Sequence, residues 1–254
     1  MDTKDSPPTD LEKVPPGPSP LPGSKVYKSN DLIEAAYQLS LAEQRILLAC
    51  MAKLDSRKPV KKDTEFKVTA AEYSDTFDVP IKQSYEALQE AADRLFERKI
   101  KMADEKGRWT REIRWLQEKA VYHGGQGAVS FIFSDRVKGH LTRLAPPFTK
   151  YQLEKVSGLN SYYSVRLYEI LIRWRDTGLL RISLDDFKRR MGIEDKYPRF
   201  PDFKRRIIVP AVQDLEAKSN LEITWDVKRE KRAVVGLEFR FQEKDQMALD
   251  LGED

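Results

Sequence analysis

Asp202-Phe203-Lys204-Arg205-Arg206 opens a helical pattern that runs to near Ser219, and its reading decides the fold. Phe203, Ile207, Ala211 and Leu215 recur every fourth residue, the spacing of a helix with one face on a core. Lys204, Arg205 and Arg206 fall off that stripe in the first turn, and Lys196, Pro198, Arg199 and Pro201 make a stiff basic loop just before it. After the helix, Leu221-Glu222-Ile223-Thr224-Trp225 alternates as a strand does. A charged tip follows at Lys228-Arg229-Glu230-Lys231-Arg232, then a returning strand from Val234 to Phe241. A basic helix sized for a major groove, followed by a basic hairpin beside it, suits contact with duplex DNA. Pro210 lies inside this helix, where it removes a hydrogen bond and crowds the carbonyl of Arg206. The sequence therefore predicts a kink there, or a helix that starts later and leaves the three cations in a loop.

The charge distribution agrees. The 254 residues carry a net charge of only +4, but residues 181–206 hold nine Lys/Arg against five Asp/Glu, as large an excess as the whole chain. Concentrated cations raise local attraction for phosphate even when the total is modest. The last twelve residues oppose them, with five carboxylates against Lys244. About a third of the residues are charged and 40% are apolar, and no run reaches the ~18 apolar residues of a bilayer-spanning helix. The N-terminus has no apolar signal-peptide core, so a cytoplasmic protein is expected. Cys50, the only cysteine, sits in an apolar run and reads as a buried thiol.

Residues 1–24 hold seven prolines among Ser, Asp and Thr and read as a disordered tail; residues 244–254 read as an acidic one. Between them one plan occurs twice. In the first half, Asn30 or Asp31 is expected to cap a helix through Tyr37, and Ser40 a longer one from Leu41 to Leu54. A strand at Phe66–Val68 and helices at Ala70–Phe77 and Ile81–Arg98 follow, the last with a stripe of Tyr85, Leu88, Ala92 and Leu95. Strands are expected at Ile100–Ala103, Thr110–Tyr122 and Ala128–Phe133, with Gly124-Gly125-Gln126-Gly127 as a turn, then a helix at Asp135–Leu144. In the second half, a helix at Tyr163–Arg175, a strand at Leu180–Ile182 and a helix at Leu184–Met191 capped by Ser183 precede the basic helix and hairpin. The repeated order predicts an α+β chain of two tandem winged-helix domains, 25–145 and 146–243, parted near Pro146-Pro147.

Three stretches resemble the replication initiator family of iteron-carrying bacterial plasmids: Ser29 to Leu32 with Leu39 to Leu47, Leu159 to Leu171, and Phe203 to Ala211 with its Pro-Ala. The likeness covers roughly residues 25 to 243. It implies two winged-helix domains that bind tandem origin repeats (iterons) in double-stranded DNA, promote origin opening and recruit host replication proteins. It also implies a dimer that binds an operator inverted repeat to repress its own gene, with dimerisation through the first domain. Host initiator protein and replicative helicase are partners by the same analogy; no membrane partner, metal or cofactor is implied.

The candidate DNA contacts are Arg189, Arg190, Lys196, Arg199, Lys204, Arg205 and Arg206, with Lys228, Arg229, Lys231 and Arg232 on phosphate. Arg205 and Arg206 suit base edges, since a guanidinium pairs bidentately with guanine; the competing account is a solvated helix face. In the first domain Lys82, Gln83 and Ser84 open the equivalent helix, whose later Glu86, Glu90, Asp93 and Glu97 repel a duplex, so only its first turn suits phosphate. Trp109, Trp115, Trp174, Trp225, Tyr162 and Tyr163 read as packing residues. A rolling-circle nickase would need paired histidines and a tyrosine nucleophile, but His123 and His140 stand seventeen residues apart on different elements. No Gly-rich loop ending in Lys-Ser/Thr is present for ATP. Two non-enzymatic rivals remain: a winged-helix transcriptional repressor without a replication role, and a protein-interaction module.

Overall fold

The computed structural model describes residues 24–103 and 109–244. The tails expected at 1–24 and 244–254 lie almost wholly outside the described residues, as does the side chain of Trp109.

The chain begins with β1 (Lys25–Ser29), α1 (Asn30–Glu34), β2 (Ala36–Tyr37) and α2 (Leu41–Ala52). Ser29, not Asn30 or Asp31, caps α1 by accepting from the Leu32 amide, and the helix stops at Glu34 because the chain turns extended to form β2. Ser40 caps α2 in a reciprocal box with Glu43. Next come β3 (Phe66–Thr69), α3 (Ala70–Phe77) and α4 (Ile81–Arg94), which tightens into a 3-10 turn at Leu95–Glu97. Thr69 and Glu72 form a second capping box that fixes the strand-to-helix corner.

The following strands are β4 (Lys99–Ala103), β5 (Trp109–Arg114), β6 (Val121–His123) and β7 (Ala128–Phe131). The single strand expected over Thr110–Tyr122 is two strands in different sheets. β5 pairs with β4, which pairs with β2, whereas β6 pairs with β7 and β7 with β3. Between them Trp115 and Leu116 are both buried, which breaks the alternation of a strand, and Gln117, Glu118 and Lys119 are exposed in the link to the second sheet. The predicted glycine turn is a 3-10 turn closed by Gly127 at φ 53°, where a side chain would strike the Tyr85 ring.

Next, α5 (Asp135–Lys138) is a single turn that Gly139 ends, shorter than the expected Asp135–Leu144. β8 (Phe148–Gln152) follows the cis Pro146–Pro147 bond and pairs antiparallel with β1, Ser29 opposite Phe148, so backbone pairing joins the two sides of residue 145. Then come α6 (Glu154–Ser157), α7 (Tyr162–Ile172), β9 (Leu179–Ser183), α8 (Leu184–Arg190), α9 (Phe200–Phe203), α10 (Val209–Lys218), β10 (Leu221–Glu230) and β11 (Ala233–Glu243). The sheet order β3-β7-β6 in the first half is repeated as β9-β11-β10 in the second. Ser183 caps α8 as Thr69 caps α3. The fold is two winged-helix units; β2-β4-β5 is an addition to the first, and β1-β8 pairs strands from either side of residue 145.

Helix α7 packs against α10 and also against α1 and β8. Its Arg166 and Glu169 are fully buried and anchor a polar network absent from the sequence reading. Glu169 accepts from Lys28 Nζ and Tyr151 Oη, each at 2.6 Å, from Arg166 at 2.7 Å and from Tyr37 Oη at 3.2 Å. The second guanidinium nitrogen of Arg166 donates to the carbonyls of Ile33, Ala35 and Arg190 at 2.9, 3.1 and 3.0 Å. Burial pushes the Glu169 carboxyl up, but Lys28 and Arg166 outweigh it and bring it down to about 2. Burial is also what lowers the Lys28 ammonium, with Glu169 opposing.

Candidate nucleic-acid interface

The basic helix is continuous from α9 to α10 through one π turn, Lys204–Ile208, where the Val209 amide donates to the Lys204 carbonyl five residues back. A π turn carries one more residue than an α turn. Pro210 comes directly after it, so the wider turn takes up the proline that would crowd the Arg206 carbonyl in a regular α-helix. This resolves the proline conflict: Lys204, Arg205 and Arg206 are helical. Phe203, Ile207, Ala211 and Leu215 are all at most 2% exposed, joined by Ile208 and Val212, and this packing fixes the helix roll. Phe203 meets the rings of Phe187, Tyr197 and Phe200.

With that face buried, Lys204, Arg205 and Arg206 face solvent. Lys204 Nζ stands 5.4 Å from the centre of the Trp225 ring, which stacks on Phe239, so the helix is tied to the hairpin. Arg206 has no hydrogen-bond or ion-pair partner among the described residues. Asp202, one turn earlier, accepts from Arg199 Nη2 at 2.8 Å and from Arg205 Nη2 at 3.3 Å. These hydrogen bonds, that from Arg199 foremost, hold its carboxyl below the usual range. The i,i+3 spacing on either side of Asp202 was readable in the sequence, but the notion of a carboxylate inside the cationic face was missed.

The hairpin closes through a two-residue turn, Lys231-Arg232, between paired Glu230 and Ala233, with Lys231 at φ 55°. Lys228, Arg229, Lys231 and Arg232 are exposed and have no partner among the described residues. Upstream, Lys188 Nζ donates to the Tyr197 carbonyl at 2.8 Å and pins the loop that carries Lys196 and Arg199. Lys196 is exposed, 3.4 Å from Gln38 Oε1.

Other expected contacts point elsewhere. Arg190 is corrected: its side chain is 14% exposed, bound to Asp186 at 2.8 Å and 3.6 Å from Glu34 of α1. It serves the contact between the two units. Arg189 is also engaged by Asp186. Ser84 is corrected too, being fully buried with its hydroxyl donating to the Pro80 carbonyl at 3.2 Å. Lys82 and Gln83 remain exposed at the start of α4, and Glu86, Glu90, Asp93 and Glu97 face solvent behind them. The buried stripe of α4 is Leu88, Ala91 and Ala92 with Leu95 just beyond; Tyr85 is 37% exposed and does not belong to it.

Trp115 and Tyr162 are buried and Tyr163 and Trp225 partly so, but Trp174 is 37% exposed beneath the Arg173 guanidinium. Cys50 is fully buried, and burial pushes its thiol up. His123 pairs with Ser130 at 2.8 Å and His140 with Ser29 at 2.7 Å. Among the described residues no cluster of three or more His, Cys, Asp or Glu side chains could hold a metal. No helix among them is long and apolar enough to cross a membrane.

A solved structure of Pi initiator protein in complex with iteron DNA matches the fold at a TM-score of 0.75, with 22% identity, over 87% of this chain and 98% of that one. A replication initiation protein of Escherichia coli is 27% identical over 214 residues, 79% of this chain. The chain spans only 65% of that relative's length. The PI protein of Escherichia coli is 23% identical over 251 residues, 86% of this chain and 82% of its own. The family model for the initiator replication protein winged-helix domain WH1 matches residues 25–172, and that for the initiator Rep protein WH2 matches 183–241. With both winged-helix units matched in order over most of its length, the chain belongs to the initiator replication (Rep) protein family.

Proposed function

We propose that the chain initiates plasmid replication by binding tandem origin repeats in duplex DNA and promoting the opening of adjacent DNA. The observation that carries the reading is the solvent face of the π-turn helix, where Lys204, Arg205 and Arg206 stand beside an exposed four-cation wing. Its base contacts fall to Arg205 and Arg206 and its phosphate contacts to the wing, Lys196 and the first turn of α4. Lys204, over Trp225, lines the groove edge. The work is binding, not bond-making, and belongs in the bacterial cytoplasm. Residues 25–145 supply dimerisation and weaker phosphate contact and residues 146–243 the sequence reading; a dimer on an inverted repeat represses the gene, and host initiator protein and helicase are recruited partners.

The test is binding and footprinting on the origin of the replicon that carries the gene, with wild type and Arg205→Ala/Arg206→Ala. Each lost base contact costs about 1–3 kcal/mol, so the double variant should bind at least tenfold more weakly while keeping its melting temperature. Protection should extend over direct repeats. Protection of a single inverted repeat alone would make the chain a repressor, and unchanged affinity of the double variant would remove the reading helix.

A further inference from the structure

The carboxylate amid the cations has no role in attraction to DNA, and it is not a buried structural group. Asp202 sits in the first turn of α9, partly exposed, with Arg199 three residues before it and Arg205 three residues after. One oxygen takes both Nε and Nη2 of Arg199, at 2.9 and 2.8 Å, and the other takes Nη2 of Arg205 at 3.3 Å. Both guanidinium groups are otherwise open to solvent, 80% and 69% exposed. Neither needs a carboxylate to be soluble, and the packing of Phe203 and Ile207 holds the helix without it.

We propose that Asp202 is a specificity-determining residue, which sets the reading face against random phosphate by occupying Arg199 and Arg205 until a matching base edge replaces it. The inference rests on the proposed DNA-reading function. A phosphate that approaches either guanidinium must displace a carboxylate and also sit beside its negative charge. Such a repulsive element lowers affinity for wrong partners more than for the right one. A guanine edge, by contrast, presents neutral acceptors to Arg205 and suffers no repulsion of that kind. The hydrogen bonds from the two arginines keep the carboxyl ionised down through mildly acidic solution, so the device is present wherever the protein binds.

The experiment compares wild type, Asp202→Asn, Asp202→Glu and Asp195→Asn, full chain, on two fluorescent duplexes at several salt concentrations. One duplex carries the repeats of the gene's own origin; the other has the same bases in scrambled order. For Asp202→Asn, affinity for the scrambled duplex should rise about three- to tenfold. The slope of log K against log salt on that duplex should steepen by about 1, the mark of one further phosphate neutralised. Affinity for the origin duplex should change less, so discrimination falls. Asp202→Glu should keep most of the discrimination. Asp195→Asn, which removes an equal charge from an exposed position seven residues earlier, should leave the ratio unchanged.

An equal rise on both duplexes, or an equal loss of discrimination with Asp195→Asn, overturns the proposal. Asp202→Ser serves if Asp202→Asn does not fold. A wild type that fails to prefer the origin duplex would instead sink the functional reading, so the two failures are distinct.

Discussion

Glu169→Gln should unfold this protein more readily than any surface change, and the size of the effect follows from what the carboxylate touches. Lys28 and Arg166 are both fully buried, and Glu169 is their shared counter-ion, with Tyr37 and Tyr151 also donating to it. Glutamine removes the charge and places an amide donor among donors. A buried ion left without its partner costs about 3–5 kcal/mol. The titration argument agrees: a carboxyl held at about 2 against an ordinary 4.5 contributes ~3 kcal/mol, at about 1.4 kcal/mol per pH unit. For a chain of this size each kcal/mol moves the melting temperature by roughly 2–4 °C, so a fall of roughly 6–20 °C is expected.

Because the folded-state value is depressed, this stability is present in full above about pH 4.5 and drains away as pH falls toward 2. The gap between the melts of wild type and variant therefore narrows by more than half from pH 7 to pH 3, with about 1 kcal/mol left there. Lys28→Met, which leaves Glu169 with Arg166 and both tyrosines, should cost less than Glu169→Gln. A variant that melts within 1 °C of wild type at pH 7, or a constant gap across the pH range, would refute the network as described.

Other predictions follow from single features. Replacement of Lys228, Arg229, Lys231 and Arg232 by Ala should flatten the salt dependence of DNA binding by roughly 0.9 per lost phosphate contact, up to ~3.6 in the slope, with little change in melting. An unchanged slope would take the wing off the DNA. Gly192→Ala places a Cβ 2.3 Å from the Tyr37 carbonyl oxygen at a φ of 71°, so α8 and β2 must separate. It should destabilise by about 1–3 kcal/mol, read by thermal melting. Ser40→Ala removes one half of the capping box of α2 and should cost about 0.5–2 kcal/mol in a urea titration.

Short-range signals were the legible ones. The run Ala70–Phe77 was expected as a helix and the observed helix has those ends; the box of Thr69 and Glu72 that fixes its start is equally local and emerged only with the structure. The stripe Phe203, Ile207, Ala211 and Leu215 located the basic helix and its outward face. What the sequence hid depends on distance along the chain. Lys28, Tyr37, Tyr151 and Glu169 have no local pattern, and Lys28 lies 141 residues from its carboxylate. Arg190 reads as one more cation in a basic window, yet its partners are Asp186 one turn back and Glu34 in the other unit. Ser84 looked like part of a phosphate-facing helix start, but its hydroxyl donates back to the Pro80 and Val79 carbonyls and the side chain is buried, while Lys82 and Gln83 beside it stay exposed. The single strand expected over Thr110–Tyr122 overlooked a local signal: Trp115 and Leu116 are consecutive buried residues, and the exposed polar run Gln117-Glu118-Lys119 follows them, which together mark the change of sheet.

The pairing of β1 with β8 also bears on synthesis. Ser29 leaves the ribosome about 120 residues before Phe148, the residue it faces, and Glu169 comes later still. At about 5–20 residues per second, the amino-terminal strand waits roughly 6–24 s for its neighbour. Throughout that interval Lys28 has no counter-ion and an unpaired strand edge stands open to other nascent chains. Slower translation between codons 30 and 150 lengthens the exposure, so yield of folded product should fall with it.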